Sequence, residues 1–289
     1  MQNPLIGSAL YWLKVSRPGL WFQTVWLYLL PTSQNLGVFS NHVFWVGLFY
    51  ITFPLNLLVY GVNDRFDIEN DRNNIRKDSY LWGAKPDAEK LKRVFRVLIF
   101  CHLPFVLWFA VVEQYALLIL AGVVVSVFLY NHPSSEFKSK SPFELLSQWG
   151  YLLVVPLSCI LNQTGQLSLE VYIYLGLFCT HAHLIGQVLD IQPDLKAGRK
   201  TTVIRLGIFP SKLVIASLVL LEAWLVWIFF NSLILALFLF LGFVALLVEA
   251  LFFNKESQYT KSQFLILGYL LNISGYISIL YIWYTGIMV

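Results

Sequence analysis

Residues 43–71 read VFWVGLFYITFPLNLLVYGVNDRFDIEND. The first 20 of them carry no charge, which is about the length that an α-helix needs to cross a membrane. Carboxylates follow almost at once, at Asp64, Asp67 and Asp71. The stretch therefore predicts a membrane-spanning helix that continues into the cytoplasm and carries its acidic residues at that end.

The polar residues of this stretch share one face of the predicted helix. At about 100° per residue, a single narrow face holds the side chains that could bind a cation. These are Asn56, Asn63, Asp64, Asp67 and Asp71, whereas Glu69 points the other way. Like charges at helical spacing repel, so the carboxylates require a cation to offset them. Oxygen ligands without Cys or His favour Mg²⁺ or Mn²⁺, and Mg²⁺ is usually shared with substrate phosphates, which predicts a phosphorylated or diphosphorylated ligand.

The whole chain has the composition of a membrane protein. Of its 289 residues 58% are hydrophobic and 12% are charged, whereas soluble domains carry about 25% charged residues. This excludes a soluble enzyme, a disordered protein and a nucleic-acid-binding protein. Residues 1–289 are expected to form one all-α domain of nine transmembrane helices around a central cavity. The nine apolar runs are 18–34, 43–62, 94–112, 115–130, 143–161, 169–189, 212–230, 233–253 and 264–284.

The basic residues predict how these spans are oriented. With the N-terminus inside and the spans alternating, all 20 Lys and Arg residues, Lys255 included, fall on the inner side. We therefore expect a multi-pass protein of a bacterial or archaeal cytoplasmic membrane, with its N-terminus and acidic loops in the cytoplasm. Five basic residues after the first acidic cluster are interpreted as anchors to anionic membrane lipid. They are Lys77, Lys85, Lys90, Lys92 and Arg93.

A second acidic cluster follows the sixth predicted span. Its members are His183, Gln187, Asp190 and Asp194, which fall within about 60° on a helical wheel. Because Pro193 tends to end or kink a helix, Asp190 could close the span while Asp194 begins a new turn. For His183, contact with a ligand and burial as a core histidine paired with Gln187 are equally weighted alternatives.

The two clusters share one sequence frame. Asp67-Ile68-x-x-Asp71-x4-Arg76-Lys77 recurs as Asp190-Ile191-x-x-Asp194-x4-Arg199-Lys200, at a constant offset of 123 residues. The frame predicts a four-helix internal repeat in a 4+4+1 arrangement, with both clusters facing each other at the inner mouth of the cavity. Such a mouth suits two metal ions that clamp the diphosphate of a lipid-tailed substrate. For Arg199 and Lys200, phosphate binding is at least as well supported as lipid anchoring.

These motifs resemble the UbiA family of intramembrane prenyltransferases over essentially the whole chain. Besides the two acidic motifs, the matching pieces are Arg17-Pro18 before the first span and Tyr130-Asn131-His132-Pro133, which leads to Phe137-Lys138. The resemblance implies two bound Mg²⁺ ions, with Mn²⁺ as the alternative, supported by Asn63. The implied metal-holding and catalytic residues are Asp64, Asp67, Asp71, Asp190 and Asp194.

The resemblance also implies a reaction and its partners. A prenyl diphosphate ionises, and a hydrophobic acceptor within the membrane attacks the allylic cation. Arg72, Lys138 and Lys196 are candidates to touch the diphosphate. The other candidate substrate contacts are Asn56, Tyr130, His183, Gln187, Arg199 and Lys200.

Two stretches look more like the lycopene elongase branch of the family, whose members add a C5 prenyl unit to a carotenoid end. They are DIQPDLKAGRKTT at residues 190–202 and the Arg-Lys…Gly-Ala pattern within NIRKDSYLWGA at residues 74–84. Many family members instead have Arg-Pro-Leu-Pro-x-Gly after the first motif, and an Arg where this chain has Glu136. These departures disfavour a quinone-type or haem-type acceptor. An aromatic quinone precursor or another lipid stays open as the alternative acceptor.

Two rival classes have less support. A CDP-alcohol phosphatidyltransferase requires an Asp-Gly-x-x-Ala-Arg string, which does not occur in this sequence. An intramembrane transporter of an anionic lipid or phosphorylated solute would give a role to Glu222 and Glu249, and the sequence identifies no partner for Glu222. For the transferase, each single Asp→Ala change at the site is expected to remove turnover and leave the fold intact, because it relieves like-charge repulsion.

Overall fold

The computed structural model describes residues 4–72, 74–253 and 259–289, and these ranges are predominantly α-helical. No β-strand occurs within them, and the isolated bridges join only Ser79 to Gly83 and Lys140 to Lys200. The predicted all-α class is therefore confirmed. Lys255, one of the basic residues in the orientation argument, lies outside the described residues.

The described ranges contain helices of very different lengths. In chain order they are α1 (Pro4–Val15), α2 (Trp21–Leu29), α3 (His42–Phe66), α4 (Ile68–Asp71), α5 (Ala88–Leu91), α6 (Val94–Val112), α7 (Tyr115–Asn131), α8 (Phe143–Ser147), α9 (Val154–Asn162), α10 (Leu169–Lys196), α11 (Thr202–Leu206), α12 (Ile208–Phe230), α13 (Leu233–Val248) and α14 (Lys261–Thr285). The short helices α4, α5 and α11 lie between predicted spans on what the sequence assigns as the inner side, whereas α8 begins the predicted span 143–161.

Seven helical segments of the described chain are long and apolar enough to cross a membrane. They are α3, α6, α10, α12 and α14, with the combined segments Phe143–Asn162 and Leu233–Phe253. The first combined segment joins α8 and α9 through the 3₁₀ turn Gln148–Leu153, and the second extends α13 by the π-helical turn Glu249–Phe253. Each of the seven coincides with one of the nine predicted spans.

The other two predicted spans are helical but shorter. The helix α7 has 17 residues, whereas α2 has nine and is flanked by the 3₁₀ turns Pro18–Leu20 and Leu30–Thr32. Proline lacks the backbone N–H that an α-helix uses, which explains why α2 is bounded by Pro18 and Pro31. The structure thus supports a polytopic helical protein with seven candidate spans, and does not by itself establish the count of nine.

Loops that were predicted to share one side of the membrane do meet in space. At one end of the bundle, the Gln34 N–H donates to the Trp283 carbonyl at 3.0 Å, and the hydroxyls of Ser232 and Tyr281 lie 3.2 Å apart. At the other end, the Lys14 ammonium donates to Asp78 at 3.0 Å.

Carboxylates inside the spans are paired with neighbouring helices. Glu222 on α12 is fully buried and lies 2.5 Å from Nδ1 of His181 on α10, which supplies the partner that the sequence did not identify. Glu249 accepts hydrogen bonds from Lys212 at 2.9 Å and from the Tyr259 hydroxyl at 2.7 Å. These contacts tie α10, α12 and the end of α13 together, which is the role expected of paired charges within a helical bundle.

The packing of α2 against α3 depends on a glycine. The Tyr28 hydroxyl donates to the Phe44 carbonyl at 3.1 Å, and both side chains are completely buried. A Cβ atom added at Gly47 would lie 2.2 Å from that hydroxyl oxygen, so any larger residue displaces Tyr28. The glycine therefore allows the close approach of the two helices.

We expect Gly47→Ala to lower the free energy of unfolding by about 1–3 kcal/mol, because overpacking at a tight contact moves Tyr28 away from Phe44. Thermal unfolding in detergent micelles measures this. Gly242→Ala on α13 is the matched control, because a Cβ there would have its nearest neighbour, on Val219, at 3.8 Å. Equal unfolding temperatures for the two variants would contradict the packing account.

Candidate active site

The first acidic motif sits where α3 ends. Asn63 and Asp64 lie in its last turn, and Asp67 leaves the helix with φ −107° before α4 adds a single turn that ends at Asp71. The predicted continuous helix is therefore interrupted at one residue, although the Asp71 N–H still donates to the Asp67 carbonyl at 2.9 Å. All three carboxylates are buried, whereas Glu69 is exposed, as the helical wheel predicts.

The second acidic motif lies on an unbroken helix. The helix α10 continues through Pro193 to Lys196, so Asp190 and Asp194 are one turn apart on the same face. The helix does not break at Pro193, which was one of the alternatives that the sequence left open. The Ala197 N–H donates to the Pro193 carbonyl at 3.0 Å, so the helical hydrogen bonding continues to the end of α10.

Both motifs open on one cavity of about 270 Å³. Charged and amide side chains gather at its mouth, which is formed by the end of α3, the loop after α4, the loop after α7 and the end of α10. The rest of its wall is largely aromatic and apolar, and includes Tyr60, Tyr130, Tyr151 and Phe178. A ligand that fits this shape has an anionic head and an apolar tail.

Two carboxylates of the first motif are neutralised by two basic residues from different parts of the chain. Asp64 accepts from Arg17 and from Lys77, each at 2.8 Å. Lys77 also lies 2.8 Å from Asp71 and its side chain is only 2% exposed. The interpretation of Lys77 as a lipid anchor is therefore wrong, because the loop folds back and buries its ammonium group between two carboxylates.

Asp67 joins the two motifs to a third loop. Lys138, which precedes α8, donates to Asp67 at 2.6 Å, and Arg199, which follows α10, also donates to it. Arg199 reaches Asp194 as well, at 2.7 Å. Arg76 donates to Asp190, so every one of the five aspartates has a cationic partner.

Two of these ion pairs cross between the repeated sequence frames. Arg76 of the first frame contacts Asp190 of the second, and Arg199 of the second frame contacts Asp67 of the first. These four residues are equivalent in pairs at the offset of 123. Each frame therefore supplies the arginine that pairs with the first aspartate of the other frame.

The ion pairs shift the pKa values of groups outside the spans. Burial by itself would raise the pKa of Asp71, but the neighbouring Lys77, together with Arg17 and Arg76, holds it below its usual value. For Arg199, burial works against the charge, but Asp67 and Asp194 raise its pKa above the ordinary value. Both groups are charged at neutral pH.

Ten of the predicted site residues line the cavity. They are Asn63, Asp67, Asp71, Tyr130, Lys138, His183, Gln187, Asp190, Asp194 and Arg199. Asp64 is buried directly behind them, against Arg17 and Lys77. The structure therefore brings together most of the residues that the two motifs selected.

Four predicted contacts are not brought to the cavity. Arg72 is exposed and pairs with Glu69 at 3.4 Å on the outer side of α4. Lys196, the last residue of α10, and Lys200, in the loop after it, are both exposed. Asn56 donates to the Thr24 hydroxyl at 3.0 Å and to carbonyls beside Pro54, so its amide fastens α3 to α2.

His183 does not form the predicted pair with Gln187. The Gln187 oxygen accepts from the Val203 N–H at 3.1 Å, and Nε2 of His183 is buried with no hydrogen-bond partner among the described residues. The His183 ring stands edge-on to Tyr130, with ring centroids 6.0 Å apart. The histidine therefore presents an unused nitrogen in the cavity wall.

Sequence reasoning missed several residues of the mouth. Arg17 was recognised only as part of a matching motif, yet its guanidinium binds Asp64 and lies 4.3 Å from the centre of the Tyr60 ring. Asn74 links the motifs through contacts to Asp71 and Asp190. The occurrence of Arg76 at the frame position of Arg199 was the signal that could have identified Arg76 as a cation of the site.

Backbone strain accompanies the residues that supply cations. Six non-glycine residues of the described chain have positive φ, and three are in or next to this group: Arg17 itself at 52°, Asp78 beside Lys77 at 76°, and Glu136 near Lys138 at 43°. Strained conformations of this kind persist where the surrounding contacts demand them, and are common at functional sites.

We expect Lys77→Gln to lower the free energy of unfolding by about 3 kcal/mol at neutral pH, because it leaves the buried Asp71 carboxylate without its ion-pair partner. The loss should shrink in acid. A carboxylate with a lowered folded-state pKa stabilises the fold above its unfolded-state pKa, and that stabilisation disappears as pH falls through the folded-state pKa. Without Lys77 the folded-state pKa of Asp71 rises, so the variant lacks this stabilisation at neutral pH and its stability approaches that of the wild type as pH falls.

Thermal unfolding between pH 4 and pH 7 measures this effect. Lys85→Gln is the matched control, because Lys85 belongs to the same loop and is exposed. Identical pH profiles for the two variants would contradict the ion-pair account.

The donor atoms at the mouth suit a divalent ion. Carboxylate and amide oxygens are the ligands that Mg²⁺ prefers, and Asn63, Asn74 and the aspartates supply them. Within the described ranges, no three His, Cys, Asp or Glu side chains are arranged as a metal site. The ion pairs explain this, because Lys77 and Arg199 hold the carboxylate oxygens that a metal would need.

Comparison with known proteins finds one protein family. A family model described as the UbiA prenyltransferase family matches residues 20–275. A lycopene elongase/hydratase of Corynebacterium glutamicum is 28% identical over 191 residues, which are 64% of this chain and 65% of that protein. A lycopene elongase/hydratase of Haloarcula japonica is 27% identical over 214 residues, covering 71% of this chain and 69% of that protein. The chain thus spans 65% of the length of the first of these relatives.

A solved structure shares the fold. A UbiA homolog from Archaeoglobus fulgidus, bound to DMAPP and Mg²⁺, superimposes with a TM-score of 0.64. The match covers 93% of this chain and 99% of that protein at 14% sequence identity.

Proposed function

Because the chain belongs to the UbiA prenyltransferase family, we propose that it transfers a prenyl group from an allylic prenyl diphosphate to a lipophilic acceptor within the membrane. The observation that carries this proposal is the composition of one cavity. Four aspartates and five cations line its mouth, with Asp64 behind them, and aromatic side chains line the rest of its wall. That arrangement matches a molecule with a diphosphate head and a prenyl tail.

The proposed cofactor is Mg²⁺, with Mn²⁺ as the alternative and two ions as the expected number. Asp64, Asp67 and Asp71 would hold one ion, and Asp190 and Asp194 the other. The Archaeoglobus fulgidus homolog was solved with DMAPP and Mg²⁺, which supports a divalent cofactor here. Mg²⁺, when bound, would neutralise the charge that develops on the leaving diphosphate.

In this proposal the cations at the mouth of the cavity bind the diphosphate. In the present structure, ion pairs with carboxylates are formed by Lys77, Lys138 and Arg199. When those carboxylates take up other ligands, the same side chains are free to turn toward the oxygens of the diphosphate. Arginine and lysine bind such groups through charge-assisted hydrogen bonds, and these strengthen as negative charge accumulates on the leaving group.

The aromatic wall would protect the allylic cation. Ring faces attract cations, and Tyr60, Tyr130 and Tyr151 line the cavity near its charged mouth. A largely apolar lining also excludes water, which would otherwise capture the cation before the acceptor does. The product then forms when an electron pair of the acceptor makes the new carbon–carbon bond and a proton leaves.

We propose a carotenoid as the acceptor and a C5 unit as the transferred group. Support comes from the lycopene elongase/hydratases that are 27–28% identical to this chain, and from the residues 190–202 that resemble that branch. An aromatic quinone precursor or another membrane lipid is the alternative acceptor.

The proposal includes the arrangement in the membrane. Residues 1–289 would form one domain of nine spans in a 4+4+1 repeat, with the N-terminus and the mouth of the cavity in the cytoplasm of a bacterial or archaeal cell. The reciprocal pairs Arg76–Asp190 and Arg199–Asp67 support the repeat, because equivalent residues of two related halves are expected to exchange contacts.

A transfer assay tests the proposal. Purified protein in lipid nanodiscs would receive radiolabelled allylic diphosphates of C5, C10, C15 and C20 length, with Mg²⁺ and either lycopene or a quinone precursor. We expect a labelled carotenoid product from the C5 donor and none after chelation. Diphosphate release that survives chelation, or that survives Asp190→Ala, would rule out the metal assignment. Absence of release with every donor would overturn the transferase function.

A further inference from the structure

Two loops that deliver cations to the cavity are joined to one another. Lys138 lies in the loop between α7 and α8, and Arg199 lies in the loop between α10 and α11. The Ser141 N–H donates to the Lys200 carbonyl, and the Lys200 N–H donates to the Ser139 carbonyl, each at 3.2 Å. Both cations that contact Asp67 are therefore attached to a single backbone junction.

One buried carboxylate holds this junction. Glu144, in the first turn of α8, has no exposed surface. Its Oε1 atom accepts from both the backbone N–H and the hydroxyl of Thr202, each at 2.6 Å. The Thr202 hydroxyl also lies 2.7 Å from the hydroxyl of Ser141. Glu144 thereby connects α8 to the residue that begins α11.

The same contacts complete the start of α11. The first backbone N–H groups of a helix have no partner within it and need one from elsewhere. Here the Thr202 N–H is satisfied by Glu144 and the Val203 N–H by the side chain of Gln187 on α10. Thr201, the residue that precedes the helix, makes no side-chain cap, so α11 is held by residues of other elements.

We propose that Glu144 is a positioning residue that holds Lys138 and Arg199 as one diphosphate-binding unit. This inference rests on the proposed function for its ligand, but the loop junction itself does not. Glu144 touches neither of the two cations directly; it acts through Thr202 and the paired backbone at Ser141 and Lys200. Without it, each loop is free to move its cation independently, and the diphosphate loses a preformed pair of donors.

Glu144→Ala is expected to raise the KM for the prenyl diphosphate about tenfold or more, with a smaller change in kcat, because misplacement by about 1 Å weakens oriented contacts. Glu144→Gln keeps an oxygen that can accept from Thr202 and should restore KM to within about threefold of wild type. Glu89→Gln is the matched control, because Glu89 is an exposed acid of α5 whose ion pair in the described structure is with Lys92.

Hydrogen exchange of the ligand-free protein tests the junction without reference to catalysis. We expect Glu144→Ala to accelerate exchange at the Ser141 and Lys200 amides about tenfold or more, and Glu89→Gln to leave it unchanged. If Glu144→Ala does not fold, Thr202→Val replaces it, since that change removes the hydroxyl contacts to Glu144 and Ser141 and keeps the backbone bond.

The outcomes separate the inference from the proposed function. Unchanged exchange at both amides would overturn the role of Glu144, whether or not the enzyme is active. Faster exchange with unchanged affinity for Mg²⁺ and inorganic diphosphate, measured by calorimetry, would overturn the positioning role while the junction stands. A wild-type protein without transferase activity would count against the proposed function alone, because the exchange and calorimetric measurements would still decide the role of Glu144.

Discussion

The Asp67→Asn substitution is expected to lower the turnover number for prenyl transfer about 10³-fold. Asp67 lies between two loops and accepts from Lys138 at 2.6 Å as well as from Arg199. Asparagine has nearly the same size but no charge, so it can neither hold these cations nor serve as an anionic metal ligand. Turnover of purified protein with saturating Mg²⁺ and labelled C5 diphosphate measures the loss.

Removal of the side chain at this position should also affect folding. Asp67→Ala leaves Lys138 and Arg199 buried without their common partner, and the expected loss in the free energy of unfolding is about 3–5 kcal/mol. Relief of repulsion between carboxylates predicts an unaffected fold, but that prediction considered only the acids. In the structure each acid faces a cation, so removal of Asp67 takes a partner from Lys138 and Arg199 as well as relieving repulsion.

Asp78→Asn provides the control for both measurements, because the Asp78 side chain is 61% exposed and its ion pair in the described part of the chain is with Lys14 at the surface. Surface ion pairs of this kind contribute about 0–1 kcal/mol. Wild-type turnover in Asp67→Asn would exclude Asp67 from catalysis. An Asp67→Ala variant as stable as wild type would contradict the ion-pair account.

The Arg199→Lys substitution is expected to reduce kcat/KM about 10²-fold with the charge retained. Arg199 uses two nitrogens of its planar guanidinium, one on Asp194 at 2.7 Å and one on Asp67. A lysine ammonium is a point charge and cannot bridge the two motifs in this way. The effect on catalysis should therefore exceed the effect on stability.

Arg93→Lys is the matched control, because Arg93 is exposed before α6 and makes no ion pair in the described structure. Comparison of kcat/KM with unfolding temperature for both variants separates the two effects. If Arg199→Lys and Arg93→Lys have equal kcat/KM, the contact that the two guanidinium nitrogens of Arg199 make with Asp194 and Asp67 has no part in the reaction.

The sequence was sufficient to predict the helical class, the position of most spans and which carboxylates lie together at the cavity. These features depend on local patterns: apolar runs about as long as the bilayer is thick, and acidic residues at helical spacing. The same logic predicted that Glu69 would point away from Asp64 and Asp67. Where prolines bound a short helix, as at Pro18 and Pro31, the run of apolar letters concealed the 3₁₀ turns.

The cations were harder to predict, because their roles depend on how loops fold back. Lys77 and Lys85 are both basic residues of one loop, yet only Lys77 is buried. Arg17 reaches Asp64 from a left-handed backbone conformation that no local pattern indicates. Arg72 and Lys196 are close in sequence to the motifs and still face outward, since neighbours along a helix point in different directions. Proximity in sequence was a poor guide to proximity in space.

The crossed pairs Arg76–Asp190 and Arg199–Asp67 have a consequence for how the chain could be divided. An exchange in which each partner supplies what the other lacks is the pattern of an isologous dimer interface, here contained in one polypeptide. A fragment that ends before α10 would retain Arg76 and Asp67 but lose Asp190 and Arg199, so that Arg76 has no carboxylate partner and Asp67 keeps only Lys138. Neither half therefore satisfies its own buried charges, and two separately expressed fragments should depend on each other for solubility in the bilayer as strongly as the subunits of an obligate dimer do.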